Sequence, residues 1–131
     1  MALKDLKASK AQATEKTLEK IIAPFARYDE SVQEVVMLPQ ASALSPTNQI
    51  LVYLVARKGW RFVVNDPPPE AAKPSDVQAA TGLPGGTVRP SLMTLKKKRI
   101  VVAREGRYSV PDHNLLHVTS MLSPGESLGD E

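Results

Sequence analysis

The chain reads as a mainly α protein with a small β-hairpin near its C-terminal end, and three observations predict this. Apolar residues recur at helical spacing through residues 46–63. Two shorter helical stretches, "PSDVQAATG" and the segment at about 87–98, flank the glycine-bearing turn "LPGG". Beyond "KKKR" the pattern changes period: "IVVAR" and "RYSV" are rich in strand formers and lie on either side of Glu105-Gly106. A helical extension precedes this arrangement.

Composition sets the outer limits. At 131 residues and 42% apolar content, the chain has the size of a single domain able to bury a core. No apolar run approaches the length that crosses a bilayer. The start, "MALKDLKASK", lacks the apolar stretch of a secretory signal, so a cytoplasmic protein is expected, at the nucleoid or in the nucleus if it binds DNA. Without cysteine there are no disulfides, thiolate metal ligands or cysteine nucleophile. The net charge of +3 conceals an asymmetry. Residues 1–44 carry six basic and six acidic groups, residues 45–111 eleven and four, and residues 112–131 none and four. A basic middle of this kind favours phosphate-bearing partners through its summed field.

The elements follow in order. Leu18, Ile21, Ile22 and Phe25 recur at spacings of three and four, so residues 1–25 read as a helix whose anchored part is its second half. Pro24 bends or ends it. "SVQEVVMLP" fits both a helical face and a β-branched strand, and is read as a short helix or turn ending before Pro39. Ser45 suits an N-cap and Pro46 a first helical position; Ile50, Leu51, Leu54 and Val55 form the apolar face behind them, and the helix is expected to reach about Val63. Trp60 reads as a core plug rather than a platform for a stacked base. "NDPPPEAAKP" is a stiff connection. Ser75 caps the next helix, or Lys73-Pro74 leads into it; Val77 and Ala80 or Thr81 point inward, and Gly82 ends it in the left-handed conformation. Gly86 or Thr87 caps the following helix, with Pro90 in its first turn. Glu105-Gly106 is the tip of the hairpin and Pro111 stops it. Residues 112–131 read as a short docking helix through Leu115, Val118 or Thr119, and Leu122, then a loose acidic tail, "SPGESLGDE".

Helix, helix, tight turn, helix, hairpin is an order that resembles the winged helix-turn-helix family. The residues that carry the resemblance are "KPSDVQAATGLPGGTVRPSLMTLKKKRIVVAREGRYSV", residues 73–110, with the helix at about 46–63 as the family's first core helix. It implies a winged-helix domain over residues 45–111, a recognition helix at about 87–98 and a wing at about 100–110. The proline-rich connection is long for such a domain, and residues 1–44 have no counterpart in it. The resemblance also implies that residues 1–25 could pair two copies, since the family often flanks its domain with such helices.

Spacing residues at 100° around the presumed recognition helix puts Val88, Leu92 and Leu95 on a buried stripe. The opposite face carries Pro90, Met93, Thr94 and Lys97, flanked by Arg89 and Lys96 on one side and by Thr87, Ser91 and Lys98 on the other. Phosphates take cations and hydroxyls, so Thr87, Ser91, Lys96, Lys98 and Arg99 are candidates for the DNA backbone. Base edges call for bidentate or apolar contacts, which leaves Arg89, Pro90, Met93, Thr94 and Lys97, with Arg89 alone able to bind in two-pronged fashion. Arg104 and Arg107 bracket Gly106 at the wing tip. The function expected is double-stranded DNA binding with modest sequence preference, as a transcriptional regulator or DNA-associated accessory factor. The alternative is a protein-interaction module on the same scaffold.

Other chemistry finds little support. His113 and His117 share a helical face and Asp112 is near, but Asn114 stands where a metalloprotease would need glutamate. "GLPGGT" lacks the lysine of a P-loop. No catalytic constellation, metal or cofactor is predicted.

Overall fold

The structure, a computed structural model, describes residues 14–122. In chain order it contains α1 (residues 14–22), β1 (Ala26–Asp29), β2 (Glu34–Met37), α2 (Pro46–Gly59), α3 (Pro74–Thr81), α4 (Gly85–Lys97), β3 (Val102–Arg104), β4 (Arg107–Ser109) and α5 (Leu115–Leu122). Short 3-10 turns occupy Pro39–Ala43, Trp60–Phe62 and Asp112–Asn114. The mainly helical class with a small hairpin is as expected. Among the described residues no helix is long and apolar enough to cross a membrane. The expected front of the first helix and the expected acidic tail, residues 1–13 and 123–131, lie outside the described residues.

Everything is built around α2. Ser45 accepts the backbone N–H of Asn48 at 3.2 Å and Pro46 takes the first position, as the sequence signals require. Ile50, Leu51, Val52, Leu54, Val55 and Ala56 are all fully buried, so the helix is apolar on every side and not on one face. It is wrapped by α3, α4 and α5 together with both hairpins. The α-helix ends at Gly59 rather than at Val63, and the tighter turn that follows buries Trp60 while leaving Phe62 and Val63 exposed. Trp60 is a core plug, with Tyr28 edge-on to its ring at 4.8 Å.

The N-terminal extension is not purely helical. Residues 34–37, read as a short helix or turn, form β2, and they pair antiparallel with β1 in a register that sets Tyr28 opposite Val35. The β-branched alternative was the right one: Val35 is buried and Val36 exposed, the period-two pattern of a strand. Asp29 accepts both the N–H and the hydroxyl of Ser31 and so closes the turn. Tyr28 donates its hydroxyl to the Ala56 carbonyl at 2.6 Å and passes directly over Gly59, where a β-carbon would collide with it.

α3 starts through Lys73-Pro74, not Ser75: Asp76 accepts the N–H of Lys73 at 3.0 Å. Val77 is buried, and Gly82 ends the helix at φ +75°. α4 begins at Gly85, capped by Pro84 rather than by Gly86 or Thr87. This earlier start places Pro90 inside the helix instead of in its first turn. The proline deprives the Gly86 carbonyl of its helical donor, and is tolerated on a face where water can supply the missing bond. Beyond β4, Leu115 and Val118 of α5 are buried against the core and Leu122 is half-buried.

Two charged side chains at the end of α2 tie the fold together. Arg57 donates to the carbonyls of Pro69, Glu70 and Ala71 in succession and to the Tyr53 hydroxyl. Lys58, whose side chain is 3% exposed, sits between the carboxylates of Glu70 at 2.7 Å and Asp112 at 2.6 Å. Asp112, read from sequence beside two histidines, is thereby occupied by Lys58 and, at 3.3 Å, by Arg61.

Candidate nucleic-acid interface

α4 meets the core through Val88, Leu92 and Leu95, each buried to 1% exposure or less. Helical geometry then fixes what points outward. Arg89, Pro90, Thr94 and Lys97 are exposed and Met93 is 46% exposed, so the candidate base-reading set shares one solvent face. Of the candidate backbone set, Lys96, Lys98 and Arg99 are exposed, while Thr87 and Ser91 are half-buried at the sides.

The electrostatics of this face differ from those of α2. Among the described residues, Arg89, Lys96, Lys97, Lys98, Arg99, Arg104 and Arg107 form no ion pair and no side-chain hydrogen bond. Residues 85–107 hold these seven cations against one carboxylate, Glu105. All four ion pairs of the described residues belong instead to Arg57, Lys58 and Arg61.

The hairpin is anchored, not free. Glu105 and Gly106 both have positive φ, 53° and 77°, as a two-residue type I′ turn requires. The register sets Arg104 directly opposite Arg107, a like-charge pair that costs an isolated hairpin about 0.2–1 kcal/mol. Tyr108 exchanges two backbone hydrogen bonds with Ala72, at 2.9 and 2.7 Å, so the end of the proline-rich connection serves as a third, one-residue strand. The Tyr108 hydroxyl also reaches the Met93 sulfur at 4.0 Å, which brings the hairpin beside the outer face of α4.

The end of α4 carries a further constraint. Arg99 N–H bonds to the Lys96 carbonyl and Ile100 N–H to the Leu95 carbonyl, both at 3.0 Å, the double closure of a Schellman motif. Its left-handed position, normally glycine, is Arg99 at φ 63°. Asn114 donates to the carbonyls of Arg99 and Ile100 at 2.9 and 3.0 Å and holds this turn from the C-terminal side.

Tyr108 and Asn114 are therefore positioning residues that sequence reasoning missed. Tyr108 was legible only as a strand residue, and Asn114 lies 15 residues from the carbonyl of Arg99 it holds. Compared with models of known protein families, with curated proteins and with solved structures, the chain matches none.

Proposed function

We propose that this protein binds double-stranded DNA through a winged helix-turn-helix, with α4 in the major groove and the β3–β4 hairpin as its wing. The observation that carries the reading is the set of seven cations on α4, the turn after it and the hairpin, none of which forms an ion pair among the described residues. A polyanion neutralises them at once. The opposed Arg104 and Arg107 support the same reading, because a bound phosphate turns their repulsion into shared attraction.

Arg89, Thr94 and Lys97 meet base edges, with Pro90 and Met93 offering apolar contact. Thr87, Ser91, Lys96, Lys98 and Arg99 hold the backbone, and Arg104, Gly106 and Arg107 form the wing tip. With one bidentate side chain on the helix, the protein reads sequence weakly. Its role is binding, not catalysis: a transcriptional regulator or accessory factor of the cytoplasm, the nucleoid or the nucleus. The test is fluorescence anisotropy on a duplex, comparing the protein with Lys96→Ala/Lys97→Ala/Arg107→Ala. Binding should weaken steeply with salt and fall in the variant; a loss below about threefold would defeat the reading.

A second reading is favoured by one observation, the exposure of Met93 and Pro90 on the same face. It makes α4 a contact surface for another protein. Absence of any salt-dependent binding to a random duplex library selects this alternative.

A further inference from the structure

A groove of about 520 Å³ lies beside β2, with Asp76, Ala79 and Ala80 of α3 on its other side and Tyr53, Arg57 and Trp60 beneath. Residues 32–37 line it without a gap. Successive strand side chains alternate between faces, so an unbroken run means that the groove follows the edge of β2 and not one face. The hydrogen-bond pattern says which backbone groups meet it. Leu38 donates its N–H to the Phe25 carbonyl at 2.7 Å, in the register that pairs Arg27 with Val36. Alternate residues bond across an antiparallel pair, so Val36 faces β1 while the N–H and C=O of Val35 and Met37 point away from it. Among the described residues those groups find no partner. Tyr53 adds a donor. Its hydroxyl accepts an N–H of Arg57 at 2.9 Å, and its own proton meets no acceptor among the described residues. Burial raises the Tyr53 pKa, so that proton is kept.

We infer that this groove takes an extended, basic peptide segment of another protein, added to β2 as a third strand. Strand addition draws its affinity from main-chain bonds along an open edge and its selectivity from the side chains around it. Val35 and Met37 offer two rungs about 7 Å apart, enough to hold a segment of a few residues. The small Ala79 and Ala80 leave room on the α3 side. Charge sets the class of segment. Glu34 and Asp76 stand at the rim, whereas Arg57 is committed to three carbonyls and to Tyr53. Two carboxylates against one engaged guanidinium favour Lys or Arg on the partner, across from Glu34. A β-branched residue suits the place beside Val36, which is 46% exposed.

Calorimetric titration of the full chain tests this with a pool of capped hexapeptides, lysine at both ends and Val, Ile or Thr at the central positions. The pool should bind with an apparent dissociation constant below about 100 µM. A pool ending in glutamate instead should bind at least about threefold more weakly at low salt. With the basic pool bound, the Val35 and Met37 amides should exchange with solvent at least about tenfold more slowly, and that of Val36, already paired with Arg27, should not change. Met37→Pro deletes an outward donor without touching the β1 ladder and should raise the dissociation constant at least about tenfold. Should that variant fail to fold by circular dichroism, Ala79→Tyr, at an exposed position that fills the groove from α3, should do the same. No binding at about 1 mM would overturn the inference, as would binding that leaves both amides unprotected or an acidic pool that binds as tightly. So would protection of both amides in the protein alone, since the chain's own ends or a second copy then hold the edge. The groove uses none of the residues assigned to DNA, so no result here alters the anisotropy result on α4.

Discussion

Removing Lys58 should harm the protein less than removing the two acids that face it. The Lys58 side chain is 3% exposed, whereas those of Glu70 and Asp112 are 36% and 51% exposed. Lys58→Met keeps a long apolar stem and releases two carboxylates that water already reaches. The loss is two charge-assisted bonds offset by recovered solvation, about 0–1.5 kcal/mol. Glu70→Ala/Asp112→Ala leaves an ammonium buried without a counter-charge, which costs about 3–5 kcal/mol. The Arg61–Asp112 pair is also lost there, but both side chains are solvated and the pair adds about 0–1 kcal/mol. The triple variant, with Met at 58, should recover at least about 2 kcal/mol relative to the double, a coupling that independent sites do not show. Urea unfolding followed by fluorescence reads this directly, since Trp60 is the sole tryptophan and is buried. A Lys58→Met variant less stable than the double, or a triple with no recovery, would refute the reasoning.

Three other outcomes are expected. Gly59→Ala should lower stability by about 1–3 kcal/mol, because the new methyl meets the Tyr28 hydroxyl, and Tyr28→Phe should relieve most of that penalty in thermal melts. Asp112 is held below the usual carboxylate range, first by the Lys58 hydrogen bond; its contribution is present above the ordinary aspartate value near about 4 and fades as pH falls through the lowered one, so Asp112→Asn should flatten the acid limb of a stability–pH curve. Arg99→Gly should raise stability by about 1 kcal/mol by relieving the left-handed arginine, yet reduce the salt slope of the proposed DNA binding by about 0.9, separating folding from the proposed function in one substitution.

Much of the helical frame was legible because its signals are local. Ser45-Pro46, Gly82 and Glu105-Gly106 each specify a backbone event within three or four residues, and each event is found. The buried stripe Val88, Leu92 and Leu95 followed from spacing alone, and the outward set of candidate residues followed from it. What escaped depends on distant neighbours. "SVQEVVMLP" satisfied helix and strand equally, and pairing with Ala26–Asp29 decided it. Val52 and Ala56 lie away from the apolar face read from the sequence, yet both are fully buried, and Tyr28 of the first hairpin bonds to the Ala56 carbonyl. The partners of Lys58 lie 12 and 54 residues away, where no periodicity can reach. The start of α4 was misplaced because Pro84, an unremarkable turn residue by sequence, caps the helix with no side-chain bond.

Arg57 grips three successive carbonyls, and the strand that Ala72 then offers to Tyr108 is the next residue along. One guanidinium on the central helix therefore sets the aim of the distal loop, as a stay fixes the angle of a mast. Lengthening the segment between residues 64 and 69 would leave that rigging intact, whereas an insertion at residue 71 would slacken it and swing the tip without altering a single residue on α4.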